Sequence, residues 1–267
     1  MKFRRYLFIL ACIAFCTPLI ARETVEDAWR EYDYQNFDGA ARIFGEVLKS
    51  KISAPDEKLQ ARLGIAMVMQ YRMPGADPAR AIPLYRAVLD SLPGQDSARA
   101  NVLLLLGRAY VQMKKPLHDS ATVCFNKIIA DYPASIESDQ AALEEAYILS
   151  YCQTEPDFRK ALRFVQDYCA KYPANTMAST MHMFCANMLI PLGEWEQARG
   201  NLMAADSLGV NNKRLRPVVI FQIGQISDKK LGDRATAKVY FRKLLDIYPS
   251  DYLSYFCRVR LRELGEK

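Results

Sequence analysis

The chain has 267 residues, 51% hydrophobic and 25% charged, a composition that can bury a core and excludes disorder. Twelve glycines and thirteen prolines fall below average usage and argue for long helices with few tight turns. The formal charge of +6 halves once Lys2, Arg4 and Arg5 are set aside with the terminal segment described next, too small an excess to imply nucleic acid.

Lys2, Arg4 and Arg5 form a positive start, and Tyr6 to Ala21 is uncharged and almost wholly apolar. That order reads as a secretory signal peptide over 1–21, cut after Ala21, with a mature chain from Arg22. As helix the apolar run spans about 24 Å, short of the roughly 30 Å hydrocarbon core, so an uncleaved anchor is the lesser reading. A cut after Cys16 is a second option. Ile9-Leu10-Ala11-Cys12 also resembles a lipobox, whose cysteine would carry lipid. The short apolar run before Cys12 and the apolar run after it weigh against that. The expected location is the periplasm or the periplasmic face of an outer membrane, with membrane association only through lipid or a retained signal.

From Arg22 onward the pattern is helical. The spacing predicts helix pairs over 24–35 with 37–50, 55–72 with 78–92, 96–114 with 118–132, 135–153 with 157–172, 175–191 with 195–208, and 214–231 with 233–248. A last helix over 251–264 follows. The tract 22–36, with Trp29, Tyr32 and Tyr34, either packs as a cap or mediates self-association. Pro83 should kink its helix. In the last helix, Arg258, Arg260, Arg262 and Glu263 should cover the open end of the array.

A pattern recurs through these pairs: alanine, a bulky apolar residue four later, and proline eight beyond that. It runs Ala81, Tyr85, Pro93; Ala121, Phe125, Pro133; Ala161, Val165, Pro173; and Ala237, Phe241, Pro249. Average residue usage would give roughly half an occurrence by chance. Ala40 with Phe44 and Ala198 with Leu202 are copies without the proline. Upstream in each unit a small residue sits in an apolar stripe: Leu63-Gly64, Leu106-Gly107 with Tyr110, Ala146 with Leu149, Ala186 with Leu189, and Ile223-Gly224. Tyr132-Pro133, Tyr172-Pro173 and Tyr248-Pro249 end second helices, because a residue before proline is pushed away from the α region. These residues resemble the tetratricopeptide repeat family, over roughly residues 24 to 264. The resemblance implies an all-α superhelix of about six helix–turn–helix units with a C-terminal capping helix. It makes 22–267 one elongated domain, with units near 24–50, 55–93, 96–133, 135–173, 175–208 and 214–249. The units are longer than the roughly 34 residues typical of the family.

A search for chemistry finds little. His118-Asp119-Ser120 cannot converge as a triad, and it reads as a helix start capped by Asp119 or Ser120. His182 reads as a packed histidine, and two histidines in the whole chain leave almost nothing for a histidine-built metal centre. There is no H-E-x-x-H, C-x-x-C, phosphate loop or dinucleotide fingerprint. No enzyme, cofactor or metal is expected. Beyond the signal, Cys124, Cys152, Cys169, Cys185 and Cys257 are an odd number and read as small buried hydrophobes; if a bridge forms, Cys169 with Cys185 is the first choice.

In stacked helix pairs the first helix lines the inner groove. By register that groove should present Arg62, Asn101, Arg108, Gln112, Tyr147, Tyr151, Asn187, Gln222 and Gln225. Amides and aromatics suit an extended peptide. Tyr147 and Tyr151, one turn apart, are the sharpest expectation. Long helices, Tyr-Pro endings and an export signal resemble bacterial cell-envelope members of the family, in the style of the barrel-assembly lipoprotein and the Tol–Pal-associated coordinator. The resemblance implies a non-catalytic protein-binding scaffold. The alternative is a glycan-, peptidoglycan- or nutrient-binding module of the envelope.

Overall fold

A computed structural model describes residues 23–72, 74–94, 96–133, 135–152, 157–210 and 212–266. The signal segment, its cleavage point at Ala21 and the lipobox cysteine Cys12 lie outside the described residues. Among the described residues there are thirteen α-helices, one π-helical turn and no strand. They fall into two compact units that divide after Ser91.

The first unit holds α1 (Val25–Asp33), α2 (Phe37–Lys49), α3 (Pro55–Tyr71) and α4 (Pro78–Ser91). Thr24 caps α1 reciprocally with Asp27, and Asn36 caps α2 through the Gly39 amide. Each such cap is worth about 1 kcal/mol. Of the early aromatics, Trp29 packs edge-on against Phe44 at 4.9 Å and Tyr32 against Phe37 at 5.3 Å, so α1 serves as a cap. Tyr34 points to solvent. Pro83 lies on the exposed side of α4, which continues through it to Ser91.

The second unit holds α5 (Ala98–Gln112), α6 (His118–Asp131), α7 (Ile136–Tyr147), α8 (Phe158–Lys171), α9 (Ala178–Leu189), α10 (Trp195–Leu208), α11 (Leu215–Lys229), α12 (Arg234–Ile247) and α13 (Tyr252–Glu263). The helix expected over 135–153 changes character at its end: after Tyr147 the chain makes a π-turn, Ile148–Cys152. There the Ser150 hydroxyl donates to the Ala146 carbonyl at 2.6 Å, and such a side-chain bond within the ladder accompanies a local irregularity. The expected cap at Asp119 or Ser120 is not made. Helix α6 starts at His118, as its expected range has it, but with Leu117 as its cap, so Asp119 sits in the first turn, where its charge faces the positive end of the helix dipole. Tyr132, Tyr172 and Tyr248 are the C-cap residues of α6, α8 and α12, with ψ between 48° and 71°, outside the α range as the following prolines require.

The recurring alanines are the contact points of the stack. Ala40, Ala81, Ala121, Ala161, Ala198 and Ala237 are all 0% exposed, and their partners Phe44, Tyr85, Phe125, Val165, Leu202 and Phe241 are at most 1% exposed. Glycine lets three of these rings lie on a facing backbone. A Cβ built on Gly107 would sit 2.5 Å from Phe125 Cε1, and one on Gly224 would sit 2.5 Å from Phe241 Cε1. Gly64 receives Phe44 of the preceding pair in the same way, while Tyr85 of its own pair donates a buried hydrogen bond to Gln70 at 2.6 Å.

Helix α13 departs from expectation. Its Arg260 turns inward and grips Asp228 with two hydrogen bonds of 2.7 and 2.8 Å. The outward face carries Tyr252, Tyr255 and Phe256 beside Arg258 and Arg262. The end of the stack is therefore as much aromatic as polar.

Candidate functional site

The expected groove residues lie on the first helices of the pairs or on the π-turn that ends α7, and several polar contacts in the second unit tie successive helices together. Arg108 on α5 donates to Glu144 on α7 at 2.7 Å, with Gln140 at 3.5 Å. Buried Asp139 accepts from the Tyr168 hydroxyl at 2.8 Å and from the Thr176 amide and hydroxyl at 2.7 Å each, tying α7 to α8 and to the loop before α9. Burial pushes the Tyr168 hydroxyl up, so it stays a donor throughout the neutral range. Asp206 on α10 pairs with Lys243 on α12. Arg199 on α10 donates to Asp233, the cap of α12, at 2.8 Å. The Arg260 guanidinium holds the Asp228 carboxyl below the usual carboxylate range. Buried carboxylates are tolerated because each of these is bonded to a cation or to several donors.

Glu145 is different. It is buried on α7, burial raises its pKa against the opposing pull of Thr122 and Lys160, and one of its carboxyl oxygens has no hydrogen-bond partner.

The nine groove residues divide into three groups. Tyr147 and Tyr151 come together: they are 48% and 47% exposed, their rings are 5.2 Å apart, and Phe158 meets Tyr151 edge-on at 5.7 Å. Three aromatic rings thus form a partly exposed ladder across the π-turn. Gln222 and Gln225 also come together, on the wall of a cavity of about 370 Å³ completed by Ile190, Trp195, Ile226, Lys229 and Lys230. The other five stand apart. Asn101 and Gln112 are exposed on α5, and Asn187 is exposed on α9. Arg108 is engaged by Glu144, and Arg62 in the first unit borders a separate cavity of about 450 Å³ with Pro55, Asp56 and Lys58.

Sequence reasoning missed Trp195, Lys229 and Lys230. Lys230 lies 4.6 Å over the Trp195 ring, a cation–π contact between the first residue of α10 and the end of α11. The adjacent lysines in line with Gln222 and Gln225 were the available signal. His182 is packed as expected, its Nδ1 bonded to Asn201 at 2.9 Å. Among the described residues no three His, Cys, Asp or Glu side chains are placed to hold a metal ion, and no helix is long and apolar enough to cross a membrane.

Stacked helix pairs, recurring alanine–aromatic contacts and an open first-helix face define an α-helical repeat protein. Residues 219–251 match the tetratricopeptide repeat family model. Solved structures are similar to the chain over most of its length. PilF of Pseudomonas aeruginosa is 18% identical over 88% of this chain and 95% of its own, with a TM-score of 0.57. MamA of Desulfovibrio magneticus is 17% identical over 73% of this chain and 97% of its own, at 0.49. YrrB, described as a tetratricopeptide protein with an unusual peptide-binding site, is 16% identical over 82% and 99%, at 0.48. No curated protein matches the chain in sequence. The pair α11–α12 thus matches a tetratricopeptide repeat, and the fold is that of tetratricopeptide-repeat proteins.

Proposed function

We propose that the chain is a non-catalytic scaffold of the bacterial cell envelope that holds a segment of a partner protein along the first-helix faces of its repeats. The observation that carries this reading is the Tyr147–Tyr151–Phe158 ladder. A buried tyrosine normally satisfies its hydroxyl and covers its ring. Here two rings are half-exposed at the end of a first helix, and exposed amides such as Asn101 and Asn187 on other first helices can pair with an extended backbone. Aromatic residues in such positions dominate the energetics of protein interfaces. The envelope location is supported by the basic start and apolar run over 1–21, which read as an export signal.

The test places a photo-crosslinking residue at Asn101 or Asn187 in cells of the source organism. A defined protein adduct is expected, and Tyr147→Ala with Tyr151→Ala should reduce it about tenfold while the circular dichroism and melting temperature hold. Unchanged adducts would remove the ladder from the binding surface. Retention on peptidoglycan or polysaccharide in place of a protein adduct would favour a glycan-binding module. N-terminal sequencing should find Arg22 first, and an intact Met1 would refute cleavage.

A further inference from the structure

Helix α13 is apolar on two sides. Its Leu253, Cys257 and Leu261 are buried with Phe241 and Leu244 of α12. On the other side Tyr252, Tyr255 and Phe256 are 70%, 63% and 51% exposed. Residues three or four apart share a helix face, and that rule joins Tyr252, Tyr255 and Phe256 to the exposed Arg258 and Arg262. The rings are held from below. Tyr255 meets Phe256 edge-on at 5.6 Å, Phe256 lies 6.4 Å from Phe221 of α11, and Phe221 lies 6.0 Å from the buried Phe241. Among the described residues neither Arg258 nor Arg262 pairs with a carboxylate. The acidic groups nearby are engaged elsewhere: Glu263 by Arg260, Glu266 by Arg242 and Lys238, and Asp251 by the first turn of α13, whose Leu253 amide donates to it. The outward face therefore combines ordered rings with two uncompensated guanidinium groups.

We propose that the outward face of α13 docks on a bilayer surface that carries anionic phospholipid. The Tyr252, Tyr255 and Phe256 rings enter at the level of the headgroups, and the Arg258 and Arg262 guanidinium groups pair with lipid phosphates. Charge complementarity sets the sign of the surface. The mixture of side chains sets its kind: tyrosine has an apolar body with a polar tip, and arginine an apolar stem with a charged head, so both suit a boundary between water and hydrocarbon. Size decides against a protein in that place. Twelve residues of helix present a face roughly 18 Å long and 10–12 Å across, whereas a stable protein interface covers about 800 Å² on each partner. A bilayer needs no such matching area. Pairing with a second copy would also bring two sets of arginines together. The contact requires neither a lipid on Cys12 nor a retained apolar run, and it is independent of the partner-binding reading of the first-helix faces.

The experiment is co-sedimentation with vesicles, using the chain from Arg22 onward, which keeps every described helix and lacks the apolar run. One set of vesicles is phosphatidylcholine alone, and the other contains about 30% phosphatidylglycerol. The chain should partition at least tenfold more strongly onto the anionic vesicles, and raising the salt from 50 to 500 mM should erase most of that preference. A basic residue beside an anionic surface is worth about fivefold in partition, so Arg258→Gln with Arg262→Gln should lower binding to the anionic vesicles at least tenfold. Both positions are exposed, and the melting temperature should hold. Tyr252→Ser with Tyr255→Ser should weaken binding as well, and neither pair of substitutions should alter adducts formed at Asn101 or Asn187. Equal partition onto the two vesicles, binding to neither, or anionic binding that survives the arginine substitutions overturns the proposal. So does a dimer in sedimentation equilibrium that Tyr252→Ser with Tyr255→Ser dissociates, since the face would then be covered by a second copy.

Discussion

Gly107→Ala and Gly224→Ala isolate the contact on which the stack is built. In a helix interior, exchanging glycine for alanine ordinarily stabilises by about 1 kcal/mol. At Gly45 and Gly200, both helical, a new Cβ meets nothing within 4 Å, and that ordinary gain is expected. At Gly107 the new carbon would lie 2.5 Å from Phe125 Cε1, and at Gly224 it would lie 2.5 Å from Phe241 Cε1. Carbon atoms rest at about 3.5–4.0 Å, so each ring must retreat by about 1 Å. Both rings are at most 1% exposed and have no free volume to move into. Overpacking of this kind costs about 1–3 kcal/mol, and a displacement this large belongs to the upper part of that range. After the propensity gain, a net loss of about 1–2 kcal/mol remains. That corresponds to a melting temperature lower by about 2–8 °C in a chain of this size. Calorimetry of the four variants is the assay. The Gly224→Ala loss should shrink when Phe241→Leu is added, because the shorter side chain vacates the space. If Gly107→Ala and Gly224→Ala stabilise as much as Gly45→Ala and Gly200→Ala, the rings do not rest on the backbone and the packing argument is wrong.

Glu145→Gln should raise the melting temperature at pH 7 by about 2–4 °C, since it removes a buried charge that costs about 1 kcal/mol more than a neutral amide. The folded state raises the pKa of Glu145, so protonation favours folding, and the advantage of the variant should vanish as the pH falls below about 4.5. A gain independent of pH would mean that Glu145 binds its proton equally well folded and unfolded, and that the gain comes from something other than the buried charge. Burial pushes the Cys185 thiol up to about 12 and the Cys257 thiol up to about 11, and all five cysteines described are free. Native protein at pH 8 should therefore leave both unlabelled by a thiol reagent for as long as it stays folded, and unfolding should expose five reactive thiols in the mature chain. Fewer than five would mean a bridge. Arg260→Leu should lower the melting temperature several times more than Arg30→Leu, because it leaves buried Asp228 with only the longer 3.6 Å contact to Lys229, whereas Arg30 serves a solvent-exposed pair. Asp228 is held low by Arg260, so the stability this pair supplies is present at neutral pH and lost as the pH drops through the acid range; the variant should have less acid sensitivity to lose.

What the sequence carries openly is whatever depends on spacing along one helix. The alanines at Ala81, Ala121 and Ala161 recur because each is fully buried at the same position of its helix pair, so their period is the period of the repeat. Tyr147 and Tyr151 are legible for the same reason, since residues one turn apart share a face. What depends on which helices meet is hidden. Gly64 belongs by sequence to the pair that contains Tyr85, yet it receives the ring of Phe44. Tyr85 carries a hydroxyl that needs a buried acceptor and finds it on Gln70, so the plain phenyl ring of Phe44 takes the place against the glycine. Arg108 has the register of a groove residue, but its guanidinium is spent on Glu144, a pairing between helices 36 positions apart in sequence. The cavity is the extreme case. Trp195 opens α10 and Lys230 follows α11, and each alone reads as a residue at a helix end facing water. Only the packing of α10 on α11 sets the ammonium over the indole and leaves a second lysine and two amides around the same space. A repeat fold thus writes its scaffold in the residues that recur and its specificity in those that do not, because a binding surface assembled from successive helices needs different side chains at equivalent positions.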